Sequence, residues 1–268
     1  MLIDHRDRVF IVSGGGRGIG RTIVDRFHAE GAHVVALDLA FGDDLPESVL
    51  ALTCDVRDPE SVKAAVDAAV ERFGTVDVLV NNAGINVEGT IEELTIERWR
   101  ECFDVNVAGV FLLSQAVIPV MKRAGRGRIL NAASFAAIVP SIGAAAYGAS
   151  KAAVVQLTRV MAGELGPWNI TVNAYAPGMI PTAMNGFADL SDAAQSRLLD
   201  TLTIRRWQRP DDVADLLAFL ASDQAGYISG ALIDVSGGKF ATQFPARAYE
   251  NRAQDGTVHE APALKNAQ

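Results

Sequence analysis

Tyr147 and Lys151 stand four residues apart in the run Tyr147-Gly148-Ala149-Ser150-Lys151. On a helix that spacing stacks both side chains on one face. An ammonium beside a phenol favours the phenolate, so the pair can trade a proton with a substrate near neutral pH. A free tyrosine titrates near ~10, and bringing it to roughly 7 requires about 4 kcal/mol of electrostatic help. One lysine supplies part of that and a cationic cofactor more. Tyr-x-x-x-Lys alone is a common accident of sequence, so the surrounding elements carry the argument.

A glycine-rich turn supplies the first of them. Val9-Phe10-Ile11-Val12 reads as a buried strand and runs into Ser13-Gly14-Gly15-Gly16-Arg17-Gly18-Ile19-Gly20. An amphipathic helix follows, with Ile23, Val24 and Phe27 on one face and an end near Gly31. Strand, turn and helix predict a dinucleotide site, because N–H groups at the helix start face a pyrophosphate. The strict G-x-G-x-x-G spacing is absent, the glycines falling as Gly14-x-x-x-Gly18-x-Gly20. A second strand, His33-Val34-Val35-Ala36-Leu37, ends at Asp38. An acid there accepts hydrogen bonds from adenosine ribose hydroxyls and repels a 2′-phosphate.

Strands and helices alternate along the chain, which predicts an α/β fold with a doubly wound, Rossmann-like parallel sheet and helices on both faces. Strand candidates are 9–13, 33–38, 50–54, 76–81, 127–133, 169–175 and 231–235. Helices are expected at about 18–30, 59–73, 96–123, 145–165 and 211–222. Segment 40–48, with Gly42, Asp43, Asp44 and Pro46, reads as a loop. One domain is expected over 1–239, with a substrate lid at about 179–207 and a C-terminal extension at 240–268. The extension reads either as a polar terminus or as a segment that docks by the substrate cleft through residues 240–250.

With these residues in place the chain resembles the short-chain dehydrogenase/reductase family over about residues 6 to 238. The marks occur in order: Gly14-x-x-x-Gly18-x-Gly20, Asp55-Val56, Asn81-Asn82-Ala83-Gly84, Asn106, Ser134, Tyr147-x-x-x-Lys151 and Pro177-Gly178. Ser13 replaces the usual threonine, and Ala132-Ala133-Ser134 keeps one of two common serines. The resemblance implies NAD as cofactor. Ser13, Gly14, Arg17, Gly18, Ile19 and Gly20 would hold the pyrophosphate, and Asp38 the ribose. Asp55 and Val56 would flank adenine, with Asn81, Asn82, Ala83 and Gly84 converging at the fourth strand end. Pro177, Gly178, Ile180 and Thr182 would cross the nicotinamide. It also implies a catalytic set. Ser134 and Tyr147 hold the carbinol oxygen, and Tyr147 takes its proton as the hydride leaves for the cofactor. Lys151 holds the nicotinamide ribose and lowers the tyrosine pKa, and Asn106 with water passes the proton out.

Substrate identity is weakly encoded. Phe135, Ile142, Met184 and Phe187 are candidates to line the cleft beside Ser134 and Tyr147, although Phe135 and Phe187 read equally as core or interface residues. This favours a small, neutral, partly hydrophobic secondary alcohol or ketone, such as a cyclic alcohol or diol. A 3-oxoacyl-carrier reductase is the enzymatic alternative and a non-catalytic dinucleotide-binding regulator the other.

The composition bounds the partners. The chain has 268 residues and a net charge of −8, which argues against nucleic acid or an anionic membrane. No apolar run reads as a membrane span. Cys54 and Cys102 lack metal or disulfide spacing, no metal is expected, and the charged N-terminus lacks a signal core. A cytoplasmic enzyme is expected, and the resemblance implies a homotetramer or dimer.

Overall fold

The computed structural model describes residues 3–182 and 186–254. Seven parallel strands form one sheet in the order β3-β2-β1-β4-β5-β6-β7. They are β1 (Val9–Ser13), β2 (His33–Asp38), β3 (Leu50–Thr53), β4 (Val78–Asn81), β5 (Gly127–Ala132), β6 (Ile170–Pro177) and β7 (Leu232–Val235). The central strands are apolar along nearly their whole length because both faces are covered, as parallel sheets require. Neighbouring residues alternate between two cores. Phe10, Val80 and Leu130 join Ile23 and Phe27 of α1 (Gly18–Ala29) and Val213 and Leu217 of α7 (Pro210–Ala221) on one face. Ile11, Leu79 and Ile129 join residues of α2 (Pro59–Phe73), α4 (Gly109–Ala124) and α5 (Ala145–Leu165) on the other.

The fold class and the strand count agree with the sequence expectation. Segment 40–48 forms turns with no helix. The expected helix over 96–123 is interrupted. It comprises α3 (Ile96–Phe103), a wider π turn over Asp104–Ala108, and α4. Such turns put an extra residue into the helix and recur at functional sites. Taken together, Ile96–Ala124 is long and apolar enough, by length and composition, to cross a bilayer, which the sequence reading did not identify. Its residues Leu113, Val117 and Met121 are packed into the sheet core. Two further helices were also not foreseen, α6 (Asp192–Leu199) inside the lid segment and α8 (Ala246–Gln254) in the extension.

The order of the strands reverses between β1 and β4, so the loops leaving these two strands diverge and leave a crevice at their carboxyl ends. The glycine turn, Asp38, the 82–84 loop, Ser134 and Pro177 all lie at or just past the carboxyl ends of strands.

Candidate active site

The cofactor side is built from backbone close to backbone. Gly14 has φ of 66°, and a Cβ there would sit 2.9 Å from the Ala83 Cα. At Gly20 a Cβ would overlap the Gly14 carbonyl at 1.9 Å. The turn is thus pressed against the 82–84 loop, and Ser13 ties the two together. Its hydroxyl accepts the Asn82 and Ala83 N–H groups, both at 3.1 Å. Asn82 Nδ2 donates to the Gly14 carbonyl at 3.3 Å. Gly18 lies on the open side, exposed, with nothing near its missing Cβ. Arg17 precedes α1 without capping it through its side chain, which leaves the first N–H groups of that helix to an anion. Ile19 packs into the core beside them.

Asp38 is fixed at the mouth of this turn. Its carboxylate accepts the Gly16 N–H at 2.9 Å and the Leu39 N–H at 2.8 Å. The exposed glycine turn, the uncapped helix start and this carboxylate fit a dinucleotide. Asp55 is engaged by Arg57, whose guanidinium holds the carboxyl below the usual carboxylate range. Val56 is buried against Gly109. Asn81, expected to converge on the cofactor, faces inward instead. Its Nδ2 donates to Asn131 Oδ1 at 2.8 Å and Ser114 Oγ at 3.2 Å. Side chains alternate along a strand, so only one of two adjacent asparagines can face the crevice.

The catalytic candidates converge. Ser134 is buried at the end of β5, and its hydroxyl accepts the Ala136 N–H at 3.1 Å. The Ser134 side chain lies close enough to Tyr147 to favour the phenolate. Tyr147 and Lys151 share one face of α5, with Nζ 5.7 Å from the centre of the tyrosine ring. Lys151 is 4% exposed and donates to the Ala132 carbonyl at 2.7 Å. Burial pushes it down to about 8. Burial likewise raises the Tyr147 phenol, and the nearby Ser134 hydroxyl opposes that rise. The expected lowering of the tyrosine by the lysine is therefore not achieved by these two side chains alone. The lysine is spent on a backbone carbonyl, and desolvation dominates both groups.

Asn106 sits in the π turn, fully buried. Its Oδ1 accepts the Ile85 N–H at 2.8 Å, and its Nδ2 donates to the Ile85 carbonyl and Ser150 Oγ, both at 3.0 Å. Ser150 Oγ donates in turn to the Tyr147 carbonyl at 2.7 Å. Asn106 thus joins the loop after β4 to the tyrosine's helix. Gly84 lies where these meet, and a Cβ there would stand 3.2 Å from Asn106 Oδ1 and 3.4 Å from Lys151 Nζ.

Beside the tyrosine opens a cleft of about 420 Å³. Ser134, Phe135, Ile142, Tyr147, Gly178 and Phe187 line it. Ile142 is fully exposed at its rim. Phe135 and Phe187 serve both readings made of them, since they also pack with Met179, Leu202 and Trp207 of the lid segment. Met184 lies outside the described residues. Pro177 ends β6, the Gly178 N–H donates to Gln208 Oε1 at 2.6 Å, Ile180 is buried and Thr182 is half-buried. Sequence reasoning missed Ser150, Gln208 and Lys239. Lys239 follows the carboxyl end of β7 and also lines the cleft; the rule that ligands sit at strand carboxyl ends could have flagged it.

Residues 14–239 match a family model described as enoyl-(acyl carrier protein) reductase. A trans-4-hydroxycyclohexanecarboxylate dehydrogenase of Sinomonas cyclohexanicum is 38% identical over 250 residues, 88% of this chain and 93% of its own. A 3-alpha-(or 20-beta)-hydroxysteroid dehydrogenase of Mycobacterium tuberculosis is 40% identical over 240 residues, covering 87% and 90%. The ligand-free aldohexose dehydrogenase of Thermoplasma acidophilum superposes with a TM-score of 0.84 at 35% identity, over 90% of this chain and 97% of that one. Glycine turn, serine, tyrosine and lysine occupy one crevice of a sheet shared with these enzymes, and the chain belongs to the short-chain dehydrogenase/reductase family of nicotinamide-dependent oxidoreductases.

Proposed function

We propose that this protein oxidises a small, partly apolar secondary alcohol, or reduces the matching ketone, with NAD as cofactor. The single observation that carries the reading is that Ser134 and Tyr147 line one cleft, with Lys151 one helical turn beyond the tyrosine and its Nζ 5.7 Å from the ring centre. Bound NAD supplies a hydride acceptor and a positive charge. Ser134 and Tyr147 hold the carbinol oxygen, and Tyr147 accepts its proton. Lys151 and the Gly84 backbone hold the ribose side, and Asn106 steadies the loop through which the proton leaves. The relatives named for a hydroxycyclohexanecarboxylate and a hydroxysteroid favour a cyclic alcohol. A 3-oxoacyl-carrier reductase is disfavoured by Asp38 and by the net charge of −8.

NAD is favoured over NADP by at least about tenfold in kcat/KM. A 2′-phosphate beside the Asp38 carboxylate would face roughly 4 kcal/mol of repulsion at ~4 Å and an effective dielectric of ~20. Arg17 is the exposed cation at the turn that opposes this. Kinetics with both cofactors on one alcohol test it. Asp38→Ala is expected to narrow the preference mainly by weakening NAD, and equal wild-type efficiencies would remove Asp38 from the ribose.

We further infer a cytoplasmic homotetramer. Both cysteines are buried and unpaired, which suits a reducing compartment. Phe111 on α4 and Val160 on α5 are about half exposed, at 47% and 48%, and offer an apolar face to a second copy.

A further inference from the structure

Lys239 is the cation in the cleft that the chemistry above does not use. It follows Gly237 and Gly238, whose φ values of 73° and 81° turn the chain back toward the lid. The Gly237 carbonyl accepts the Ile204 N–H at 2.8 Å, and the Gly238 carbonyl accepts from the Thr203 hydroxyl at 3.0 Å. These bonds set the lysine against the wall that carries Ser134 and Tyr147. Its Nζ lies 5.7 Å from the centre of the Phe135 ring, next in sequence to Ser134, and donates to the Thr201 hydroxyl.

No carboxylate among the described residues forms an ion pair with it. Glu88, also at the cleft, is exposed and accepts from Asn86 Nδ2 at 2.8 Å. The rest of the cleft lining is uncharged, and Val139, Met179, Phe187 and Leu198 are among its apolar members. A half-buried ammonium among such groups has lost water without gaining an anion. Its pKa is drawn below the ordinary lysine value by desolvation. A carboxylate entering the cleft would supply the missing partner through a charge-assisted hydrogen bond.

We propose that Lys239 determines specificity by holding a carboxylate of the substrate, so that the alcohol oxidised is a hydroxy acid with an apolar body between its carbinol and its carboxylate. The inference rests on the alcohol-dehydrogenase reading and narrows its substrate class, replacing the neutral substrate expected from the apolar candidates alone. Lys239 itself takes no part in proton or hydride transfer.

The test compares binding of cyclohexanecarboxylate and cyclohexanecarboxamide to the full chain saturated with NADH, by titration calorimetry. Neither compound has a hydroxyl to oxidise, so the result does not depend on turnover and stands apart from the alcohol panel that tests the reaction. The carboxylate is expected to bind at least about tenfold more tightly than the amide, the weight of one charge-assisted contact. Lys239→Met should bring the two within about threefold, and Lys239→Arg should keep the preference, which guards against a merely structural loss. Equal binding of the two compounds by the wild type, or a preference that survives in Lys239→Met, would overturn the proposal.

Discussion

At the residue scale the site is a place where burial works against charge. Lys151 has lost nearly all contact with water, and its anchor is one backbone carbonyl. A lysine pushed down from 10.5 to about 8 destabilises the folded, cofactor-free protein. The difference, 10.5 − 8, amounts to about 3 kcal/mol at ~1.36 kcal/mol per unit. Below pH 8 that cost is fully present. Between 8 and 10.5 the unfolded chain binds the proton that the folded one has shed, so stability rises with pH there. Lys151→Met is therefore expected to raise the melting temperature of the cofactor-free protein at pH 7. It should also flatten the gain between pH 8 and 10.5 and remove most turnover. Scanning calorimetry across that range checks it; a lowered melting temperature would mean that the Ala132 carbonyl depends on the ammonium by more than burial costs. The pairing of Tyr147 with Lys151 was legible from a four-residue spacing. The diversion of the lysine to Ala132 was not, because that contact joins α5 to β5 across 19 residues.

At the element scale, two segments do what periodicity does not announce. The π turn at Asp104–Ala108 lies inside one apolar helical pattern, and only the low helix propensity of Asn106 hints at it. Helix α8 ties the extension to the lid segment. The Tyr249 hydroxyl donates to the Thr203 carbonyl at 2.8 Å and accepts the Arg205 N–H at 3.1 Å. These are contacts of 46 and 44 residues in sequence separation, beyond the reach of any local pattern. These bonds hold Tyr249 on the lid segment, while no described residue of 240–250 lines the cleft itself. Tyr249→Phe removes both, and a net hydrogen bond contributes about 1 kcal/mol. The expected result is a several-fold rise in the substrate KM with a smaller change in kcat, as for loosened positioning, and ending the chain at Lys239 should do more. Steady-state kinetics check both, and an unchanged KM in the truncated protein would make the extension irrelevant to the cleft.

At the scale of the whole molecule, the parallel sheet covered on both faces followed from apolar runs alternating with helical patterns, because a parallel sheet buried on both faces admits few other patterns; the strand order came only from the structure. The N-terminal clamp was not visible. His5 is buried between Phe10 and Phe27, with Nε2 donating to the Ala218 carbonyl at 2.9 Å, so it fastens the chain start to α7. Burial lowers its pKa from 6.5. The unfolded chain then takes up protons more readily than the folded one as pH falls below 6.5, so this group removes stability there. Melting temperatures are expected to fall from pH 7 to pH 5, and less steeply in His5→Leu; parallel slopes would clear His5. The central claim concerns the reaction, and the most direct measurement is NADH formation from NAD and a panel of cyclic secondary alcohols, run beside Tyr147→Phe with its NADH affinity titrated by fluorescence. The account predicts turnover by the wild type and a loss of ~10²–10⁴-fold in the variant with NADH affinity retained. A variant that keeps more than about a tenth of the wild-type rate would contradict it.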